Sequence, residues 1–235
     1  MADVDYPAWA AFYHGLLCRC GVAAGTVCEC ACGTGGLTLP LAATYDMIGV
    51  DQSGDMLSVA MDKARRAGLA IPFVQMHMQQ LALHRPADGV LCTCDGINYL
   101  PNEQEIAAFF RAAYQALRPG GALIFDVSTP YKLQTLLGNR LLYEDADDVT
   151  YLWKNTYTET GCRVDMSLTI FQRETSGLYT RILEDQTQYG YTQGVLERLL
   201  QEAGFGDIAV YGDRTAEPPR ATEKRWHIAA VKKER

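Results

Sequence analysis

Apolar residues recur at three- and four-residue spacing over Trp9, Phe12, Tyr13, Leu16 and Leu17, a stripe that predicts a helix near the start of the chain. From Thr26 to Cys32 the apolar positions run on continuously and end in Gly33-Thr34-Gly35-Gly36, which predicts a buried strand closed by a tight turn. Leu37 to Tyr45 reads as a helix. Met47-Ile48-Gly49-Val50-Asp51 is a second buried strand with a carboxylate at its C-terminal end. Ser53 or Asp55 caps the next helix, which carries Met56, Leu57, Val59, Ala60 and Ala64 to a stop at Gly68. Ile71 to Gln75 is a third strand, and Gly89 to Cys94 a fourth, followed at once by Asp95. A helix from about Glu103 to Leu117 breaks at Arg118-Pro119-Gly120-Gly121, and Ala122 to Val127 is the fifth strand.

The texture changes after Pro130. From Thr150 to Gln188 the chain is rich in Tyr, Thr and Trp with alternating polarity, the pattern of antiparallel strands with one solvated face. A helix from about Gln193 to Ala203 and two strands, near Ile208 to Tyr211 and Trp226 to Val231, complete the chain. Alternating strands and helices imply right-handed βαβ units. The expected fold is α/β: a doubly wound, mostly parallel seven-stranded sheet with helices on both faces and an antiparallel β insertion after the fifth strand. The core takes residues 1–130 and 192–235, and the insertion, a flap or lid, takes residues 131–191.

Composition narrows the class without changing this picture. A chain of 235 residues, 48% hydrophobic and 21% charged, buries one sizeable core and is not disordered. The net charge of −7 argues against a nucleic-acid partner, and the one basic cluster, Lys232-Lys233-Glu234-Arg235, reads as a solvated end. The acidic start, Met1 to Tyr6, has no apolar signal core, and no stretch approaches the roughly twenty apolar residues of a membrane span, so a cytoplasmic location without membrane partners is expected. Eight cysteines stand mostly in C-x-C runs (Cys18 and Cys20, Cys28, Cys30 and Cys32, Cys92 and Cys94), with Cys162 alone. Inside apolar strands such runs place small buried side chains on one face, so they are expected reduced and metal-free, with Cys28, Cys30 and Cys32 across from Cys92 and Cys94.

Ligands of open α/β sheets bind at the carboxyl ends of the strands, where strand order reverses. There Gly33 and Gly35 let backbone approach a ligand closely, and the helix N-terminus beyond them attracts an anionic group. Asp51, sixteen residues after Gly35, stands at the end of the second strand, where a carboxylate accepts the hydroxyls of an adenosine ribose. Asp95 and Asp126 end the fourth and fifth strands on the same rim and are candidate catalytic groups, as is His14 on the opening helix. Among Tyr151, Trp153, Tyr157 and Tyr179 of the insertion, at least one is expected to line the pocket.

The glycine turn, Asp51 and the Leu117-Arg118-Pro119-Gly120-Gly121 turn leading into Phe125-Asp126-Val127 resemble the class I (Rossmann-like) S-adenosylmethionine-dependent methyltransferases over nearly the whole chain. Asp5-Tyr6-Pro7-Ala8-Trp9, Cys94-Asp95-Gly96-Ile97-Asn98-Tyr99-Leu100, Asp126 to Leu133 and the Tyr-rich insertion are similar to a bacterial, small-molecule-type branch with an antiparallel flap over the active site. The resemblance implies S-adenosylmethionine as cofactor, S-adenosylhomocysteine as product, and a small-molecule acceptor. It implies that Gly33, Gly35 and the backbone at Ala31 face the methionine part, that Asp51 holds the ribose, and that Gln52 and Met56 line the adenine, with Met78 and Gln79 at its edge. It further implies that Asp95 stands beside the sulfonium and amino group, with Tyr6, Trp9 and Glu29 as expected cofactor contacts. Asn98, Tyr99, Tyr151, Trp153, Gln186 and Tyr189 are implied on the acceptor side.

Three departures from the family pattern stand out. Ala31 replaces a glycine, tolerable at negative φ. His77 replaces an acidic residue, passing the adenine amino contact to Gln79 or backbone. Gln186 and Tyr189 interrupt a His- and Arg-bearing pattern in Glu184-Asp185-Gln186-Thr187-Gln188-Tyr189-Gly190-Tyr191. With no obvious base in view, an amine, a carboxylate or a thiol fits as acceptor, in a monomer or homodimer. Two alternatives are a non-catalytic S-adenosylmethionine-binding partner subunit and a nicotinamide-dependent oxidoreductase. Against the latter, the stretch from Leu37 supplies no third glycine of the dinucleotide fingerprint, and no Tyr-x₃-Lys pair follows the fourth strand.

Overall fold

Helix α1 (Tyr6–Arg19) forms where the apolar stripe predicts it. The carboxylate of Asp5 caps it by accepting from the Ala8 amide at 3.0 Å, Pro7 occupies its first turn, and Tyr13, Leu16 and Leu17 are its buried face. The computed structural model describes residues 4–233; the acidic start Met1-Ala2-Asp3 and the tail residues Glu234-Arg235 lie outside the described residues. Among the described residues no helix is long and apolar enough to cross a membrane.

Strands β1 (Thr26–Cys30), β2 (Asp46–Asp51), β3 (Phe73–Gln75), β4 (Ala87–Cys92) and β5 (Leu117–Ser128) pair in parallel in the order β3-β2-β1-β4-β5. β11 (Arg225–Lys232) adds antiparallel to β5, and β10 (Phe205–Tyr211) antiparallel to β11, completing seven strands. Because β4 lies beside β1 and not beside β3, the order reverses between them and opens a crevice at their C-terminal ends. Both faces are covered, so the strands are mostly apolar, with Glu29, Asp126 and His227 as buried exceptions. Val27, Leu91 and Ile124 pack with α1, while Cys28, Val90, Leu123 and Phe125 pack with α4 (Glu103–Ala116) and α5 (Gln193–Ala203). Asn102 and Thr192 cap these last two helices, and Gly204, at φ 104°, ends α5.

Three local expectations are revised. The helix predicted from Leu37 to Tyr45 shrinks to α2 (Thr38–Leu41), because after Leu41 the chain passes through single turns, Ala43 to Pro40 and Thr44 to Leu41, to reach Asp46 in register with Thr26. The fifth strand starts at Leu117, not Ala122: Leu117 already pairs with Ala87 of β4, and a register shift spans the Arg-Pro-Gly-Gly segment before Ala122 meets Gly89. A Cβ on Gly121 would sit 2.9 Å from the Asp88 carbonyl, so this close strand approach requires glycine. The cysteine runs meet less fully than expected. Cys30 and Cys92 are register partners, but Cys28 faces Val90, and Cys32 and Cys94 lie beyond the strand ends.

All eight cysteines are free thiols, and burial pushes those of Cys92 and Cys94 up, the latter to about 12. Helix α3 (Gly54–Arg66) starts at Ser53, whose hydroxyl accepts from the Met56 amide at 3.2 Å.

The insertion leaves the sheet immediately after β5 through a wide helical turn, Lys132–Leu137. It forms a separate antiparallel sheet, β6 (Leu141–Asp145), β7 (Val149–Thr158), β8 (Arg163–Arg173) and β9 (Tyr179–Tyr189), in that order. The register puts Trp153, Asn155, Tyr157, Val164, Met166 and Leu168 on one face, where their apolar members pack against Leu133 of the connecting turn. Tyr143, Leu152 and Leu183 share the opposite, outward face.

Candidate active site

The loop after β1 carries three left-handed residues in five, Ala31 (φ 54°), Gly33 (54°) and Gly35 (72°). Ala31 therefore does not have the negative φ expected of it. A hydrogen bond from the Cys32 amide to the Val50 carbonyl, 3.0 Å, holds the loop on β2 while Ala31 bears the local strain. Gly35 packs closely, since an added Cβ would approach Leu39 to 2.8 Å, whereas one on Gly33 would meet nothing within 4 Å. The backbone at Gly33 thus borders open space. The following helix has only four residues, too short for the anion-attracting dipole expected of it.

Asp51 closes the other side of the cradle. One carboxylate oxygen accepts from the Gly33 amide at 2.8 Å and the other from the Ser53 amide at 2.9 Å. Two of about four acceptor positions are used, which leaves capacity for a pair of hydroxyls in a nearly buried setting. Beneath the loop, Glu29 is buried and accepts from the hydroxyls of Thr38 and, at 2.8 Å, Thr93. Burial pushes its carboxyl up to about 7, the two hydroxyl bonds opposing that rise only in part. Tyr6 lies against Gly36, where a Cβ would overlap its ring at 2.5 Å, so the start of α1 is seated directly on the glycine turn.

The loop after β4 is held by a buried ion cluster. Asp126, with no exposed surface, accepts from the Tyr13 hydroxyl at 2.6 Å, the Cys94 amide at 2.7 Å and the Asp95 amide at 3.0 Å, and pairs with Arg225. Those two amides belong to left-handed residues, Cys94 at φ 56° and Asp95 at φ 64°, so Asp126 fixes the strained backbone of this loop. Burial disfavours the charged form of Asp126, yet Arg225, His227, the Tyr13 hydroxyl and the Asp95 amide more than offset it, and the carboxyl sits below its ordinary value. Asp126 is thus a buried hub without the solvent access a reacting group needs. Asp95 takes a second bond from Arg225, 2.9 Å, accepts from the Ser128 hydroxyl at 2.8 Å and lies 3.5 Å from the Lys132 ammonium. Arg225 in turn stacks over Trp9 at 5.1 Å, and Tyr13 contacts buried His227 at 3.2 Å. Sequence reasoning missed Arg225, His227 and Tyr13. Two polar side chains two apart in an otherwise apolar closing strand, Arg225 and His227, were the available signal.

Other predicted positions divide. His14 hydrogen-bonds Tyr45, 2.8 Å, whose hydroxyl donates to the Val22 carbonyl ahead of β1, so it lies at the amino-end side of the sheet, away from the rim. Asn98 is fully buried. Its amide donates to the Ser128 and Tyr189 carbonyls, and its oxygen accepts from the Ser128 amide at 2.8 Å, so it ties β5 to the end of the insertion instead of facing an acceptor. Tyr99, 43% exposed, donates to Gln186 at 2.9 Å and draws the insertion toward the β4 loop. Tyr151 and Trp153 share the inner face of the insertion; Trp153 packs in the Leu133 cluster, its indole nitrogen buried without a partner. Gln52 is exposed, Met56 is 44% exposed on the first turn of α3, and Met78 lies 4.0 Å from Cys92. The Gln79 amide nitrogen is engaged by Glu105 at 2.8 Å, and His77 is exposed. A cavity of about 280 Å³ opens beside Arg225, between the start of α1 and the connecting turn.

Residues 27–121 match a family model described as a methyltransferase domain. A protein of Geobacillus sp. (strain WCH70), provisionally named a methyltransferase, is 32% identical over 99% of this chain and 95% of its own. A crystal structure of an S-adenosylmethionine-dependent methyltransferase from Clostridium acetobutylicum superposes with a TM-score of 0.93 at 27% identity, covering 99% of this chain and 94% of that one. Glycine/sarcosine N-methyltransferase of Halorhodospira halochloris is 27% identical over 80% of this chain and 68% of its own.

Proposed function

Because this chain belongs to the class I S-adenosylmethionine-dependent methyltransferases, we propose that it transfers the methyl group to a small-molecule acceptor held between the β4 and β5 rim, α1 and the antiparallel flap. The observation that carries the small-molecule reading is the closure of that rim from two sides. Tyr6 seats α1 on Gly36, Tyr99 bonds Gln186 of the flap, and a partly open cavity of about 280 Å³ lies beside Arg225, of a size for a small molecule. The similarity to a glycine/sarcosine N-methyltransferase favours an amine among the acceptors considered.

When bound, S-adenosylmethionine supplies an electrophilic methyl group on a cationic sulfur. Asp51 would hold the ribose hydroxyls, the open side of Gly33 the methionine part, and Glu29 and Asp95 the cationic end. Met56 offers apolar surface to the adenine. The chain contributes alignment and exclusion of water, together worth roughly 7–11 kcal/mol of barrier when geometry is good. Asp126 acts through Cys94 and Asp95 as a positioning residue. The test is S-adenosylhomocysteine release with a bacterial extract separated by size. Turnover is expected with the low-molecular-weight fraction, and turnover only with the protein or nucleic-acid fraction would sink the reading.

Asp51→Ala is expected to weaken S-adenosylmethionine binding by about 1–3 kcal/mol, the cost of leaving buried hydroxyls unpaired. Calorimetry on that variant returning the unaltered affinity would remove Asp51 from the site.

Glu29 gives a pH signature. Its raised carboxyl value, about 7, means that the stability it contributes to the free protein is present below about 4.5 and lost as pH rises through about 7. Cofactor affinity should run the other way, because ionised Glu29 attracts a cationic ligand. We expect S-adenosylmethionine affinity to climb several-fold between pH 6 and pH 8, roughly tenfold for each unit by which the ligand lowers this carboxyl. Glu29→Gln should flatten the profile. A flat profile in the unaltered protein would show that Glu29 does not sense the ligand's charge.

A further inference from the structure

We infer that the cavity beside Arg225 is an anion subsite, and that the acceptor methylated by this enzyme carries a carboxylate. This rests on the reading that a small molecule is methylated at the rim and adds its charge. Four cations line the cavity, Lys132, Arg214, Lys224 and Arg225, against two carboxylates, Asp5 and Asp213.

The two carboxylates have other partners as well. Asp5 caps α1 through the Ala8 amide, and Asp213 stands 3.9 Å from Arg214 and 3.7 Å from the buried ring of His227, with its carboxyl held below the ordinary value first by that imidazole. The cations are not all matched in return. Arg225 is spent on Asp95 and Asp126, and Lys132 leans on Ser128 at 2.8 Å and Asp95 at 3.5 Å. Lys224 makes no ion pair or side-chain hydrogen bond among the described residues, and Arg214 has only the long contact to Asp213, with its side chain 55% exposed. Lys224 and Arg214 are therefore the cations open to a ligand. In a chain with a net charge of −7, cations gathered around one concavity are a local exception, and a concave site strengthens their field on a small anion.

Position gives the charge its use. The cavity shares Arg225 and Lys132 with Asp95, the residue at the end of β4, so a molecule anchored by its carboxylate there would extend its other end toward the cofactor side of the rim. Trp9, whose ring carries Arg225, forms the apolar wall. A carboxylate fits the opening as a planar acceptor of two donors, which matches an Arg fork beside an ammonium.

The experiment is a titration of the S-adenosylhomocysteine-loaded full chain with sodium acetate, glycolate and succinate, followed by tryptophan fluorescence, with sodium chloride at equal ionic strength as control. Saturable binding of the carboxylates above the chloride response is expected. The double variant Arg214→Glu, Lys224→Glu should weaken it by about tenfold or more, as expected for the loss of charge-assisted hydrogen bonds. S-adenosylhomocysteine affinity should be unchanged in that variant, since neither side chain touches the glycine turn or Asp51. Carboxylates binding no better than chloride, or binding that survives the double charge reversal, would overturn the inference. If the protein took up no S-adenosylhomocysteine at all, the fault would lie with the cofactor site and not with the subsite. Where the low-molecular-weight extract supports turnover, the activity should elute with its anionic compounds on anion exchange. Elution with the cationic or neutral compounds would also overturn the proposal.

Discussion

Arg225→Met is expected to cost about 3 kcal/mol or more of folding stability, a drop in Tm on the order of 6–12 °C for a chain of this size. The substitution keeps most of the side chain's apolar length but removes the cation that lies against Asp126, a carboxylate with no exposed surface. An unpaired buried charge is among the most costly defects a core can hold. A pH signature separates this from lost packing. In the unaltered protein Asp126 lies below its ordinary value, so its contribution is present above about 3.8 and lost as pH falls through the lower folded value. In the variant the largest effect opposing burial is gone and the carboxyl rises, so the deficit should be large near neutral pH and shrink as Asp126 takes up a proton. Asp126→Asn placed on top of Arg225→Met should recover part of the stability. Equal destabilisation across the pH range would show that Arg225 contributes packing alone.

The cluster bears on function through backbone. Two amides held by Asp126 belong to left-handed Cys94 and Asp95, the loop where the β4 end meets the cofactor side. Part of the Arg225→Met defect should therefore appear as loss of turnover in the fraction that remains folded.

Exchanging residues 141–187 for a short Gly-Ser linker should leave S-adenosylmethionine affinity nearly intact and lower turnover by roughly 100-fold or more, the scale of a modest misalignment of reacting groups. The glycine turn, Asp51 and Glu29 lie on the main sheet and its loops and make no hydrogen bond to the flap. Water exclusion and acceptor alignment, by contrast, depend on what covers the rim. The linker stops short of Tyr189, whose carbonyl Asn98 needs. A milder pair, Tyr99→Phe and Gln186→Ala, removes the side-chain bond between the flap and the β4 loop while leaving the Asn98 bond to Tyr189 in place, and should lower turnover without moving stability or cofactor affinity. Normal turnover in both the exchanged and the milder variants would end the lid interpretation.

What could be read from the sequence was short in range. The glycine turn and Asp51 lie sixteen residues apart on consecutive strands, so hydrophobic periodicity fixes their relation before any tertiary contact is known. The same holds for α5, bounded by Thr192 and Gly204, two capping residues of unambiguous chemistry. The Asp126 hub was illegible because Tyr13 and Arg225 approach it from 113 residues before and 99 residues after, through the pairing of the closing strand with β5. Asp126 and Asp95 read alike as strand-end carboxylates, and only burial separates a positioning residue from one still near the rim. Asn98 misled for a similar reason, since a polar residue after a strand looks available until its partners are known. Ala31 shows the limit of residue-type reasoning, because alanine discourages a left-handed loop but does not prevent one that its neighbours impose. The candidate base His14 failed on direction, since a helix that begins at the carboxyl-end rim carries its later residues away from it.

The most direct test of the central claim is a crystal structure of the chain with S-adenosylhomocysteine bound. The ribose hydroxyls are expected within hydrogen-bond distance of the Asp51 carboxylate and the amino-acid part against Gly33, with the amino group on the side of Glu29 and Asp95. A nucleoside bound away from Asp51, with that carboxylate still engaged only by the Gly33 and Ser53 amides, would contradict it.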